Sequence, residues 1–163
     1  MPPARRRDGI AVLHPASMLA TWFGAGLLPK APGTWGSLAA LPFAWMMART
    51  GGPWLLAGAA VVCFALGWWV SAIYVRLTGV DDPSEVVIDE VAAQWMVLVP
   101  VAPDPVAYLV GFAVFRVLDI VKPWPANWAD RSVGGGLGVM LDDVLAGAWG
   151  IAAMVLFAHL TGN

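Results

Sequence analysis

The stretch Pro53-Trp-Leu-Leu-Ala-Gly-Ala-Ala-Val-Val-Cys-Phe-Ala-Leu-Gly-Trp-Trp-Val-Ser-Ala-Ile-Tyr-Val75 carries no charged side chain. At about 1.5 Å per residue a helix over it is longer than the roughly 30 Å hydrocarbon layer of a bilayer. It predicts a membrane-spanning helix, and the chain around it agrees. Of 163 residues, 60% are hydrophobic and 12% charged, about half the charge of a soluble domain. An apolar solvent explains that deficit better than an oversized core. The sequence therefore reads as one membrane-embedded domain over 1–163, with residues 1–9 a flexible basic N-terminus.

Working outward, the next apolar runs are Val86 to Val101 and Asp104 to Ile120, separated by Pro100-Val-Ala-Pro-Asp-Pro105. Three prolines in six residues break a helix and suit a tight reversal. The last run, Val144 to Leu160, reaches full spanning length if its helix begins at Met140. On the other side, Ser37 to Thr50 is a shorter candidate that closes at Gly51-Gly52-Pro53, a turn signal. Ile10 to Leu28 follows Arg5, Arg6 and Arg7, but His14-Pro15 interrupts it and no cleavage site precedes a polar mature chain. It reads as a retained interfacial or re-entrant helix. The expected fold is thus all-α: a polytopic membrane helical bundle of about four to five spanning or partly spanning helices plus that N-terminal element.

The charges test this path. With the N-terminus cytoplasmic, only Arg49 and Asp104 fall outside. The other Lys/Arg (Arg5, Arg6, Arg7, Lys30, Arg76, Arg116, Lys122, Arg131) and the remaining Asp/Glu fall inside. The basic asymmetry fixes orientation; the acidic one is not required by that rule and needs another cause. A formal net charge of −2 gives no field for nucleic acid, and a single Cys63 gives neither a disulfide framework nor a thiolate metal site. The ten Trp residues flank apolar runs as interfacial belts do.

Four stretches meet at the inner face. Leu28-Pro-Lys-Ala-Pro-Gly-Thr-Trp-Gly-Ser37 opens a helix whose positive end suits an anion, with Lys30 a further phosphate contact and Ser37 an N-cap. In Asp81-Asp-Pro-Ser-Glu-Val-Val-Ile-Asp-Glu90, Glu85 and Asp89 are four apart, as on one helical face. Asp81, Asp82 and Glu85 suit dipole partners, whereas Asp89 and Glu90 stand between apolar segments, where carboxylates are costly unless paired or metal-bound. In Phe115-Arg-Val-Leu-Asp-Ile-Val-Lys-Pro-Trp-Pro125, Arg116, Asp119 and Lys122 recur every third residue. The Arg and Lys can snorkel; Asp119 lacks the stem to do so. Asp142 and Asp143 stand side by side in an apolar run, a repulsion that a cation removes. Oxygen ligands without His or Cys suit Mg²⁺, and Lys30, Arg116 and Lys122 can neutralise phosphate oxygens, the equipment of phosphoryl chemistry.

Taken in order from Leu28 to Gly147, these motifs resemble the phosphatidylglycerophosphatase A family, centred on Val87-Ile-Asp-Glu-Val91 and Met140-Leu-Asp-Asp143. The resemblance implies a Mg²⁺-dependent lipid phosphatase of the bacterial cytoplasmic (inner) membrane. It would act on phosphatidylglycerophosphate at the cytoplasmic leaflet, with no nucleic-acid partner. Carried over by position, Asp89, Glu90, Asp119, Asp142 and Asp143 are its candidate metal or catalytic carboxylates. Lys30, Thr34, Arg116 and Lys122 are its candidate phosphate contacts. Ala92-Ala93, where a glycine is expected, and Leu118, where Phe is common, alter packing rather than charge. Attack by a cation-activated water with a carboxylate as base is the expected chemistry, an aspartyl-phosphate the alternative. The rivals are a lipid phosphotransferase, whose dense Asp-Gly spacing is missing, and a small ion transporter or metal-binding membrane protein, which would place its ionisable groups at mid-span.

Overall fold

The computed structural model describes residues 14–80 and 82–163; the basic N-terminus, the first residues of the Ile10 to Leu28 run and Asp81 lie outside them. The described chain is all-helical. In order it comprises α1 (Pro15–Ala20), a 3-10 turn (Ala25–Leu27), α2 (Pro32–Thr78), α3 (Ile88–Leu98), α4 (Pro105–Val121), α5 (Ala126–Ser132) and α6 (Gly135–Thr161). Two of these, α2 and α6, are long and apolar enough to cross a membrane.

Helix α2 is not one rod. Gly52 sits at φ 68°, ψ −167°, outside helical space, and Pro53 follows it, so the Gly-Gly-Pro signal marks a break between limbs 32–51 and 53–78. Packing fixes their directions. Gly33 and Gly36 abut Glu90 and Val87 at the start of α3, and the Trp95 indole N–H donates to Ala40 O at 3.0 Å, so the first limb runs alongside α3. The second limb returns: Cys63, buried, lies 3.9 Å from Ile88 O, Gly67 meets Met140, and Ala72 meets Gly136. Helix α6 follows α3, with Gly147 on Ala93 and Gly150 on Val97, while α4 runs opposite, with Gly111 against Leu98 and Met154. Small residues recur where backbones approach, as in membrane helix pairs.

The structure changes several expected boundaries. The first limb begins at Pro32, not Ser37, because Pro at the first helical position is pre-set for a helix start; its cap residue is Ala31, so Ser37 is no N-cap. The Val86 to Val101 run yields only an 11-residue helix, about 16 Å long. It is apolar because it is central: Ile88, Val91, Ala92, Ala93, Val97 and Leu98 are all buried. Glu85 precedes that helix and so shares no helical face with Asp89. Helix α6 starts earlier than Met140, absorbing the glycine run because Gly136 must press on the Ala72 backbone.

Among the described residues, the N-terminal run is a broken elbow. After α1, Trp22, Phe23 and Gly24 all take positive φ, so no continuous helix crosses there. Val87 N–H donates to Ala20 O at 2.9 Å, and Trp22 packs edge-on against Trp95 and Phe43. At the opposite end, Asp104 caps α4 through Val106 and Ala107 N–H. Asn163 accepts from Ala102 N–H at 2.7 Å.

The outside of the bundle is apolar. Val61, Ile120 and Leu160 are 69%, 73% and 74% exposed, and water-soluble monomers rarely expose wide apolar surface.

Candidate active site

The antiparallel register gathers helix ends. The starts of α2, α3 and α6 and the end of α4 come to one end of the bundle, bringing Asp89, Glu90, Asp119 and Asp143 together. Carboxylate oxygens of Asp89, Glu90 and Asp143 all lie within 4.8 Å of one another. Asp119 adjoins Asp143 through its side chain. Asp89, Asp119 and Asp143 are buried, at 8%, 8% and 4% exposure.

Arg116 is the cation within this cluster. Its Nη1 lies 2.6 Å from Asp119 and 3.8 Å from Glu90, and donates to the buried Ser37 hydroxyl at 3.5 Å. The first turn of α2 closes the same side. Gly33 is so near that a Cβ there would overlap Glu90 Oε1 and sit 3.0 Å from Arg116 Nη1. One guanidinium and one helix end do not balance four carboxylates. At an effective dielectric of 20, two charges 4.8 Å apart repel by about 3.5 kcal/mol. Glu90 Oε2 and Asp143 Oδ2 are moreover buried without a hydrogen-bond partner. An all-oxygen set with unused lone pairs fits a hard divalent cation. An octahedral Mg²⁺ holds neighbouring oxygens about 3 Å apart, so the three carboxylates would draw together around the ion.

Asp142 is not in that set. Adjacent helical positions point about 100° apart, so Asp143 turns to the cluster while Asp142 turns to Lys122, 2.5 Å away. The same ammonium is 2.5 Å from Asp130 on α5. Burial lowers the Lys122 pKa, but its hydrogen bonds and the charges of Asp130 and Asp142 outweigh this, so the net shift is upward and it stays protonated. Beyond Asp142, a cavity of about 270 Å³ is lined by Asp82, Asp130, Arg131, Ser132 and the α6 start.

Of the expected phosphate contacts, Arg116 and Lys122 lie beside the carboxylates. Lys30 is exposed and Thr34 half-buried; neither side chain makes a hydrogen bond or ion pair among the described residues. Three participants were not anticipated. Asp130 approaches Lys122 only because the Pro123 to Pro125 turn folds α5 back, and nothing local signals it. Ser37 was read as a cap. Gln94, 0% exposed with both amide atoms unpartnered, stands one turn from Glu90, and its spacing within an apolar run was the available signal.

A family model described as Phosphatidylglycerophosphatase A matches residues 18–158. A protein of Escherichia coli (strain K12) named Phosphatidylglycerophosphatase A is 38% identical over 155 residues, covering 94% of this chain and 89% of its own. A Haemophilus influenzae protein of the same name is 36% identical over 150 residues, covering 91% of each. No solved structure matches the chain.

Proposed function

The chain belongs to the phosphatidylglycerophosphatase A family, and from that premise we propose that it hydrolyses the terminal phosphomonoester of phosphatidylglycerophosphate, releasing phosphatidylglycerol and phosphate, with Mg²⁺ as cofactor. The family match over most of the chain carries the activity. The observation that supports the cofactor is the triad Asp89, Glu90 and Asp143, with oxygens within 4.8 Å and two of them unpartnered.

These three carboxylates would hold the cation. When bound, it draws charge from the phosphoryl oxygens and makes a nearby water more acidic. The protein's own groups do the rest. Arg116 fixes Asp119 and Glu90 by ion pairing and presents its guanidinium to the phosphate. A carboxylate of the cluster takes the proton of the attacking water as its oxygen bonds to phosphorus. The ester P–O bond breaks, and the departing glycerol oxygen takes that proton back from the carboxylate. Lys122 pairs with Asp130 and Asp142 and so holds Asp142 away from the carboxylate cluster at the edge of the site.

In this reading both limbs of α2, helix α4 and helix α6 cross the bacterial inner membrane, α3 reaches part-way, and the cluster faces the cytoplasm. The Lys/Arg distribution supports that orientation. Exposed Trp35, Trp124 and Trp128 lie toward the cluster end and exposed Trp54 at the other, the positions of two interfacial belts.

Phosphate release from phosphatidylglycerophosphate in detergent micelles tests the proposal. Release should stop on chelation and return with added Mg²⁺. Undiminished release in chelator refutes the cation, and no release with Mg²⁺ refutes the activity.

A further inference from the structure

A group of polar atoms continues below the carboxylates into the apolar interior. Gln94 is fully buried, and its Nε2 and Oε1 have no hydrogen-bond partner among the described residues. The same is true of Glu90 Oε2 and of Arg116 Nε.

These atoms belong to neighbouring side chains. On α3, Glu90, Gln94 and Leu98 follow at four-residue intervals and share one face. Glu90 lies 3.8 Å from Arg116 on α4, and Leu98 packs on Gly111 of the same helix. Gln94, between them, is therefore walled by the stretch of α4 from Gly111 to Arg116. On another side, Gly33 abuts Glu90 and Ala40 O accepts from Trp95, which brings the first limb of α2, with its buried Ser37, alongside. Long side chains on a helix lean toward its N-terminus, and from position 94 that direction leads to Glu90.

Two of the four atoms are donors (Gln94 Nε2 and Arg116 Nε) and two are acceptors (Gln94 Oε1 and Glu90 Oε2). Burying such groups unpaired weakens a fold, and a methionine at 94 would fill the space with nothing to satisfy. Matched donors and acceptors are what water joins, and a buried water typically makes about three hydrogen bonds to groups of this kind.

We propose that Gln94 is a positioning residue of the site: through buried water it ties Glu90 to Arg116 from beneath and holds the Glu90 carboxylate toward Asp89 and Asp143. The inference rests on the proposed cation site and adds what keeps one of its ligands in place.

Two variants separate this role from packing. Gln94→Met keeps the volume and removes the amide, whereas Gln94→Asn keeps the amide and shortens the stem. Mg²⁺ binding is measured by isothermal titration calorimetry on the full-length protein in detergent, without substrate, beside thermal unfolding in chelator. Losing a group that orients a metal ligand weakens binding about tenfold or more, so Gln94→Met should bind Mg²⁺ about tenfold more weakly than the wild type. Gln94→Asn, which water can still bridge, should lose less, and unfolding should follow the same order. Wild-type affinity in Gln94→Met, or a greater loss in Gln94→Asn, overturns the inference. A wild type that binds no Mg²⁺ refutes the cation and leaves unfolding to decide. Gln94→Met melting above Gln94→Asn, the order that packing predicts, then overturns the inference, and the reverse order upholds it. In a crystal structure of the wild type, an ordered water should lie within about 3.2 Å of both Gln94 and Glu90. A direct bond from the amide to another side chain, or dry packing around it, overturns the inference even if neither variant folds.

Discussion

Replacing Gly33 with alanine should weaken Mg²⁺ binding while leaving the fold intact. Position 33 is in the first turn of α2, where alanine is preferred to glycine by up to about 1 kcal/mol, so helix formation does not oppose the change. The new methyl would overlap Glu90 Oε1 and lie 3.0 Å from both Glu90 Cδ and Arg116 Nη1. Of these, the Glu90 carboxylate is the end of a flexible side chain, whereas the α2 backbone is held against Val87 through Gly36. Glu90 therefore yields and swings away from Asp89 and Asp143. Disturbing a metal site to this degree lowers affinity about 10–100-fold, equivalent to about 1.4–2.8 kcal/mol. The assay is phosphate release titrated with Mg²⁺, alongside thermal unfolding in the same detergent. Half-saturation should move up by that factor, with most of the rate regained at high Mg²⁺. An unmoved half-saturation with full activity would refute Glu90 as a ligand. Loss that Mg²⁺ cannot rescue, with a lowered melting temperature, would refute the claim that the side chain rather than the helix gives way.

Asp143→Asn should lose at least about tenfold more activity than Asp142→Asn in the same assay, because only the former removes a carboxylate of the triad; equal losses would undo the distinction between the two. Lys122→Met removes the ammonium joining Asp130 to Asp142 and should cost about 2 kcal/mol in unfolding measurements. The folded-state pKa of Lys122 is raised, so that contribution is fully present below the ordinary lysine value of about 10.4. It disappears only as pH climbs through the raised folded value. The difference between wild type and variant should thus be constant from about pH 7 to 9, and a difference shrinking over that interval would contradict the pairing. Gly136→Ala places a methyl 2.7 Å from the Ala72 Cα, backbone that cannot turn aside, and should destabilise by about 1–3 kcal/mol in thermal unfolding; an unchanged melting temperature would show that α6 can shift freely.

Much of the site was legible because charge inside an apolar chain is conspicuous. Asp89, Glu90, Asp119 and Asp143 could be picked out singly, and their convergence followed from alternating helix directions set by Gly51-Gly52-Pro53 and the proline-rich turn after Val99. What sequence could not supply was azimuth. Asp142 and Asp143 read as a pair, yet one residue of helical rotation sends them to different partners. Nor does hydropathy distinguish a side chain facing lipid from one facing protein, which is why the short α3 read as a longer span: its valines and alanines are as apolar as those of α2 but are enclosed by other helices. Asp130 escaped notice because its partner lies eight residues back, across a turn whose geometry only the folded chain defines.

The unequal ends of the bundle also bear on biogenesis. Among the described residues, the end away from the carboxylates carries only Arg49 and Asp104 as charged side chains, and Asp104 is already bonded to two backbone N–H groups. In the proposed orientation these are the charged side chains among the described residues that must be translocated, each at about 2.5–3.5 kcal/mol if it paused at the bilayer centre. Every group needed for chemistry stays on the side where the ribosome delivers it. The polypeptide can thus assemble its most highly charged region without carrying it through oil, and an inverted copy would face a far larger barrier to insertion.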